Sequence, residues 1–145
     1  MGYMAVLKNN RTQGKSEVLT CAWNLCGQTM TLCKSEKRFP KRERWILVQP
    51  IIREAMDAMS CIRRANAVHV GSDAEYEYRH MQQVQAYGHL EALLTLIELA
   101  QNVHGLEAQT VEHWTGLVVL TENKLKAWAK SDKERFKKMK SDAAQ

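Results

Sequence analysis

The sequence is poor in residues that break helices. It holds two prolines and seven glycines in 145 residues. Almost no stretch alternates apolar and polar side chains with the two-residue period of a strand, which disfavours a β architecture. No apolar run approaches the roughly 18 residues of a membrane span, and residues 1–15 lack the apolar centre of a signal peptide. The expectation is a soluble, cytoplasmic chain without membrane contact. Cys21, Cys26, Cys33 and Cys61 form no C-x-x-C pair. Three of them fall near one apolar face of the first helix, the pattern of buried reduced thiols rather than of disulfides or a metal site. There is no glycine-rich phosphate loop and no G-x-S-x-G or H-E-x-x-H motif. Glu77-x-x-His80 matches half of a di-iron bundle motif, but no second copy exists. His80, His89 and His113 show no carboxylate or cysteine at ligand spacing. These absences point away from an enzyme, a metal and a cofactor.

What the sequence does have is helical periodicity and positive charge. Lysine and arginine number 21 against 16 acids, a net charge of +5. The pI near 9.1 favours an anionic partner without identifying it. A chain of this length makes one domain with a real core. It is organised around residues 37–45, where Lys37, Arg38, Lys41, Arg42 and Arg44 crowd around Phe39, Pro40 and Trp45 with Glu43 the lone acid. Proline stops one helix and sets up the next, and Phe39 and Trp45 flank the turn as a hydrophobic staple would.

In chain order, residues 1–15 read as a flexible basic arm carrying Lys8, Arg11 and Lys15. Residues 16–130 read as the folded part, and 131–145 as a basic tail, either a helical extension or disordered. Ser16 is the expected cap of a first helix running to about Glu36, with a seam of Leu19, Trp23 or Ala22, Cys26, Met30 and Cys33. The second helix is expected over 41–67, kinked at Pro50, with Trp45, Val48, Ile52, Ala55, Met59 and Ile62 as its stripe. Ser72 or Asp73 caps a third helix over 74–104, ended by Gly105. The fourth starts near Glu107 and carries Val111, Trp114, Val118, Thr121, Leu125 and Trp128 at three-four spacing. The fold class is all-α, an antiparallel up-down-up-down four-helix bundle.

The basic clusters carry the functional signal. Lys37, Arg38, Lys41, Arg42 and Arg44 form one candidate phosphate-binding group; Lys124, Lys126 and Lys130, in the run toward Lys140, form the other. Phosphate binding by such surfaces is largely independent of nucleotide sequence. Trp45, Tyr76 and Tyr78 are aromatic enough to stack on bases, though its seam position assigns Trp45 to the core. Ile51, Met56, Leu93, Leu96, Leu99 and Val119 lie outside the simple seams, a surplus of apolar residues that predicts an assembly interface.

Phe39-Pro40-Lys41, then Arg44, Trp45, Leu47, Gln49 and Ile51, closing on Ala65-Asn66, resemble the four-helix-bundle proteins related to the 23S rRNA intervening-sequence family. The likeness is strongest to its accessory variability determinant (Avd) proteins of diversity-generating retroelements. It continues through Leu90–Ala100 and from Val111-Glu112-His113 to Trp128, and so spans roughly residues 19–130. The sequence differs from that pattern at Pro50, Glu98 and Lys126-Ala127. The resemblance implies a non-catalytic homopentamer that binds a reverse transcriptase and its template RNA, or an RNA/cDNA duplex, and supports mutagenic cDNA synthesis. The other branch of the family implies a structural bundle with no direct nucleic-acid role.

Overall fold

The structure is a computed structural model that describes residues 13–144. Lys8 and Arg11 of the expected basic arm lie outside the described residues. The described chain is all-α: α1 (Gln13–Lys34), α2 (Gln49–Ala67), α3 (Asp73–His104) and α4 (Ala108–Ala144) form a four-helix bundle. Helix α1 begins before Ser16, so Ser16 is not its cap. Each helix packs on the next, and α4 packs back on α1. No helix among the described residues is long and apolar enough to cross a membrane.

The stop and start signals are local and legible. Ser72 caps α3: its hydroxyl oxygen accepts from the Glu75 N–H at 3.3 Å. The Glu75 carboxylate accepts from the Gly71 N–H at 3.1 Å and from the Ser72 hydroxyl at 3.0 Å, which ties the turn closed. Gly105, at φ 63°, ends α3 in the left-handed conformation, and its N–H donates to the Gln101 carbonyl. An L side chain would be strained there.

Pro50 acts differently from expectation. Residues 41–67 are not one kinked helix but a 3-10 turn (Lys41–Glu43), a π turn (Arg44–Val48) and then α2, with Pro50 in its first turn. Proline cannot donate to the Ile46 carbonyl and would press against it, so the chain runs in a wider turn just ahead of it. That turn changes the helical phase. Leu47, Val48, Ile51, Ala55, Ala58, Ile62 and Ala65 face the core, while Trp45 is 74% exposed.

Helix α1 is also rotated from expectation. Its buried row is Val18, Ala22, Leu25, Thr29 and Leu32, with Leu19, Cys26 and Cys33 beside it; Trp23 and Met30 are exposed. Thr29 is fully buried because it is satisfied. Its hydroxyl donates to the Leu25 carbonyl at 2.7 Å and accepts from the Trp114 indole N–H at 3.0 Å. A buried indole needs such an acceptor, so the Trp114–Thr29 bond holds α1 in this rotation.

In α4 every expected seam residue is buried, and the seam runs on into the supposed tail. Asp132 is buried, Phe136 stacks on Tyr76 with centroids 4.4 Å apart, and Lys140 pairs with Asp73 at 2.9 Å. The tail is helical through Ala144. Among the surplus apolar residues, Ile51 and Leu93 belong to the core. Met56, Leu99 and Val119 are exposed, and Leu96 is half-buried.

Candidate nucleic-acid interface

The basic corner is built on a buried phenylalanine. After Lys34 the backbone closes two tight turns: the Arg38 and Phe39 amides both donate to the Ser35 carbonyl, at 3.1 and 2.8 Å. Phe39 is driven inward, 3% exposed, edge-on to His104 at 5.5 Å and to Trp114 at 6.5 Å. Pro40 then holds an extended backbone, φ −56° and ψ 148°. With Phe39 pointing in, its neighbours point out: Lys37, Arg38, Lys41, Arg42 and Arg44 are all exposed. Lys41 reaches Glu36 at 3.5 Å, the one ion pair of this corner among the described residues. Both partners are well exposed, so the pair contributes less than about 1 kcal/mol and leaves the ammonium available.

Trp45 does not staple the turn. With α1 it walls a surface cleft of about 360 Å³. Val48, Ile52 and Cys33 supply its apolar lining, and Lys34, Arg44 and Gln49 its polar groups. Lys34 and Gln49 carried no functional reading from sequence, because they come together only when α1 and the π turn pack side by side.

The second basic group does not join the first. Trp114, which packs on Phe39, precedes Lys124 by ten residues of α4, which at the α-helical rise is about 15 Å. Lys124 is half-buried and pairs with Glu17 of α1 at 3.0 Å. The Lys126 ammonium lies 4.8 Å from the Tyr87 ring centroid. Hydrogen bonding to Tyr87 holds it above its ordinary value, despite partial desolvation. Lys130 is exposed. The three residues are thus divided between the α1 side of α4, the α3 side and solvent. Tyr78 is exposed, whereas Tyr76 is half-buried between His80 and Phe136 and is occupied in stacking.

Further along α4 one acid, Asp132, is buried and matched, while Lys133, Arg135, Lys137, Lys138 and Lys140 are exposed. The Asp132 carboxylate accepts from Arg79 at 2.8 Å, from Gln83 at 3.2 Å and from Arg135 at 3.1 Å. Arg79 also donates to the Ala65 carbonyl at 3.1 Å and to the Val68 carbonyl, and lies over the Trp128 ring. This clasp ties the end of α2 to α3 and α4. It is invisible in sequence because its ion pair spans 53 residues. A second unforeseen pair joins His89 of α3 to Glu54 of α2 at 2.6 Å; His89 has a carboxylate partner after all, supplied by another helix.

Glu122 is buried beside Glu91, and desolvation, a hydrogen bond with Glu91 and its negative charge push its carboxyl up to about 7 against the pull of Lys126. Burial alone pushes Cys26 to about 11 and Cys33 to about 12, so neither is an appreciable thiolate nucleophile at neutral pH. All four cysteines are free, with Cys21 only partly buried. Glu77 and His80 are exposed, and no cluster of three or more metal-ligating side chains occurs among the described residues. Comparison with protein-family models, with curated proteins and with solved structures finds no match to this chain.

Proposed function

We propose that this chain is a non-catalytic accessory subunit of a diversity-generating retroelement, an up-down-up-down bundle that binds the element's reverse transcriptase and template RNA as a homo-oligomer, most simply a pentamer. The observation that supports this reading is the corner at residues 37–44. Five cationic side chains stand in water there on a turn anchored by buried Phe39. Arg79, by contrast, is buried with Asp132. Phosphate oxygens suit the exposed set because each contact releases condensed counterions. Exposed Met56, Leu99 and Val119 are the apolar surface an oligomer would cover, and repetition of the corner on each subunit would add weak contacts as avidity.

The test is RNA binding and reverse-transcriptase co-purification across a salt series, for the wild type and for Arg38→Glu/Lys41→Glu/Arg42→Glu. Wild-type affinity falls with salt by about 0.7 in the logarithm per single-strand phosphate contacted. The triple variant flattens that slope and loses support of cDNA synthesis while remaining oligomeric by light scattering. Wild-type binding by the triple variant would leave the corner a solvated turn, and a monomeric wild type would remove the oligomer.

A further inference from the structure

The cleft beside the corner has a composition that the corner's charge does not account for. Trp45 leaves 74% of its surface in water, next to Ile46 at 71%. Large apolar side chains exposed in succession on a turn mark a surface that something covers. The cleft below them has an indole wall, an aliphatic floor at Val48 and Ile52, a carboxamide at Gln49 and cations at Lys34 and Arg44. Its volume of about 360 Å³ falls at the small end of the range for ligand pockets, about 300–1,000 Å³. No acidic side chain is among its described lining residues.

We propose that this cleft is a nucleotide pocket that takes one unstacked base of single-stranded RNA, with the Trp45 indole against the base and Lys34 and Arg44 on the adjoining phosphates. The proposal rests on the RNA-binding reading above and specifies where a base, rather than the backbone, is held. Each part of the lining has a matching part in a nucleotide. An indole face stacks on any base and so tolerates sequence. A carboxamide offers both a donor and an acceptor to a base edge. The two cations continue the basic corner, so a strand whose phosphates lie on Lys41 and Arg42 has its next charges met at Arg44 and Lys34. A second copy of this chain docking face to face on the cleft would bring those cations against their own equivalents, and like charges across an interface oppose association. A head-to-tail neighbour in a ring would instead shield Trp45 in the RNA-free oligomer. Duplex RNA is excluded on chemical grounds, because its bases are already stacked and its major groove is too narrow for side chains to read.

The experiment uses intrinsic tryptophan emission of the full chain carrying Trp23→Phe. Trp114 and Trp128 are buried, which leaves Trp45 as the exposed indole among the described residues. A short single-stranded RNA is expected to quench that emission saturably, and a duplex of the same sequence is not. Trp45→Ala is expected to weaken single-strand affinity about 5- to 150-fold, the range for loss of one base–aromatic stack; Trp45→Phe retains most of it. Circular dichroism and light scattering establish that both variants keep the fold and assembly. If RNA binds without quenching and Trp45→Ala binds as wild type does, the pocket is refuted while the phosphate-binding corner stands. If no RNA binds, both readings fall. Shielding of Trp45 from acrylamide in the RNA-free oligomer, or quenching by an acidic peptide but not by RNA, assigns the cleft to a protein partner and overturns the proposal.

Discussion

Where α1 turns toward α2, Phe39 is buried on His104 and Trp114 while Arg38, Lys41 and Arg42 stand in water. Where α2 turns toward α3, the arrangement is inverted. Arg79 is 4% exposed, held by Asp132 and by the Ala65 and Val68 carbonyls, and the aromatic pair Tyr76–Phe136 packs nearer the surface. Both regions carry cations, yet Arg79 is buried with an acid whereas Arg38 and Arg42 are exposed. A buried arginine is costly unless its charge and its N–H groups are matched, so Arg79 is committed to the fold. An exposed arginine costs the fold little and stays available to a ligand. Charge density along the sequence therefore does not separate a structural arginine from an available one; partnership does.

The comparison is broken most severely at the buried clasp. Asp132→Ala leaves Arg79 buried and unpaired, and is expected to destabilise the protein by about 3–5 kcal/mol in urea or thermal unfolding. Replacing the pair together, Arg79→Met with Asp132→Leu, is expected to restore much of that loss. If the single variant melted as wild type does, the clasp would contribute nothing to stability.

Phe39→Ala attacks the opposite end. Removing a buried phenylalanine costs about 3 kcal/mol, and here it also frees the turn that presents the cations. Unfolding midpoint and RNA affinity should fall together, whereas Asp132→Ala should lower the midpoint while leaving the affinity of the folded fraction unchanged.

Glu122 sharpens the contrast between matched and unmatched buried charge. Its folded value of about 7 lies above the ordinary 4.5, so the native state holds an extra proton between those values. Stability is then greater at the acid side of that window and is lost as pH rises through it. Glu122→Gln removes the penalty and should stabilise the protein at pH ~8 by an amount on the order of 2 kcal/mol, with the gain vanishing below pH ~4.5. Parallel stability curves across that range would show that Glu122 titrates normally.

The smallest expected change in stability belongs to the basic corner. Arg38→Glu/Lys41→Glu/Arg42→Glu should shift unfolding by only a few tenths of a kcal/mol per exposed site while removing salt-dependent RNA binding. A large loss of stability would mean that the corner is structural, as the Arg79 end is.

Much of the fold was legible because its signals are local. The Ser72 cap, the Gly105 stop, the Phe39-Pro40 turn and the three-four spacing from Val111 to Trp128 each depend on residues a few positions apart. Exposure of the corner cations was legible too, since residues flanking an inward phenylalanine on a tight turn have nowhere else to point. The cleft was not. It depends on Trp45 leaving the core, which follows from the wide turn before Pro50 and from Leu47 and Ile51 taking the inner positions.

What the sequence alone determined, then, is four helices, the breaks at Phe39-Pro40, Ser72 and Gly105, and the basic corner between the first two, because backbone hydrogen bonding and apolar periodicity act within a turn or two of helix. Tertiary structure decided how each helix is rotated and which charges are matched. Trp114 selected Thr29 from α1, 85 residues away, and so displaced Met30 and Trp23 to the surface. Asp132 selected Arg79 across 53 residues. A buried polar group must find a partner wherever the packed chain supplies one, and no local pattern states where that will be.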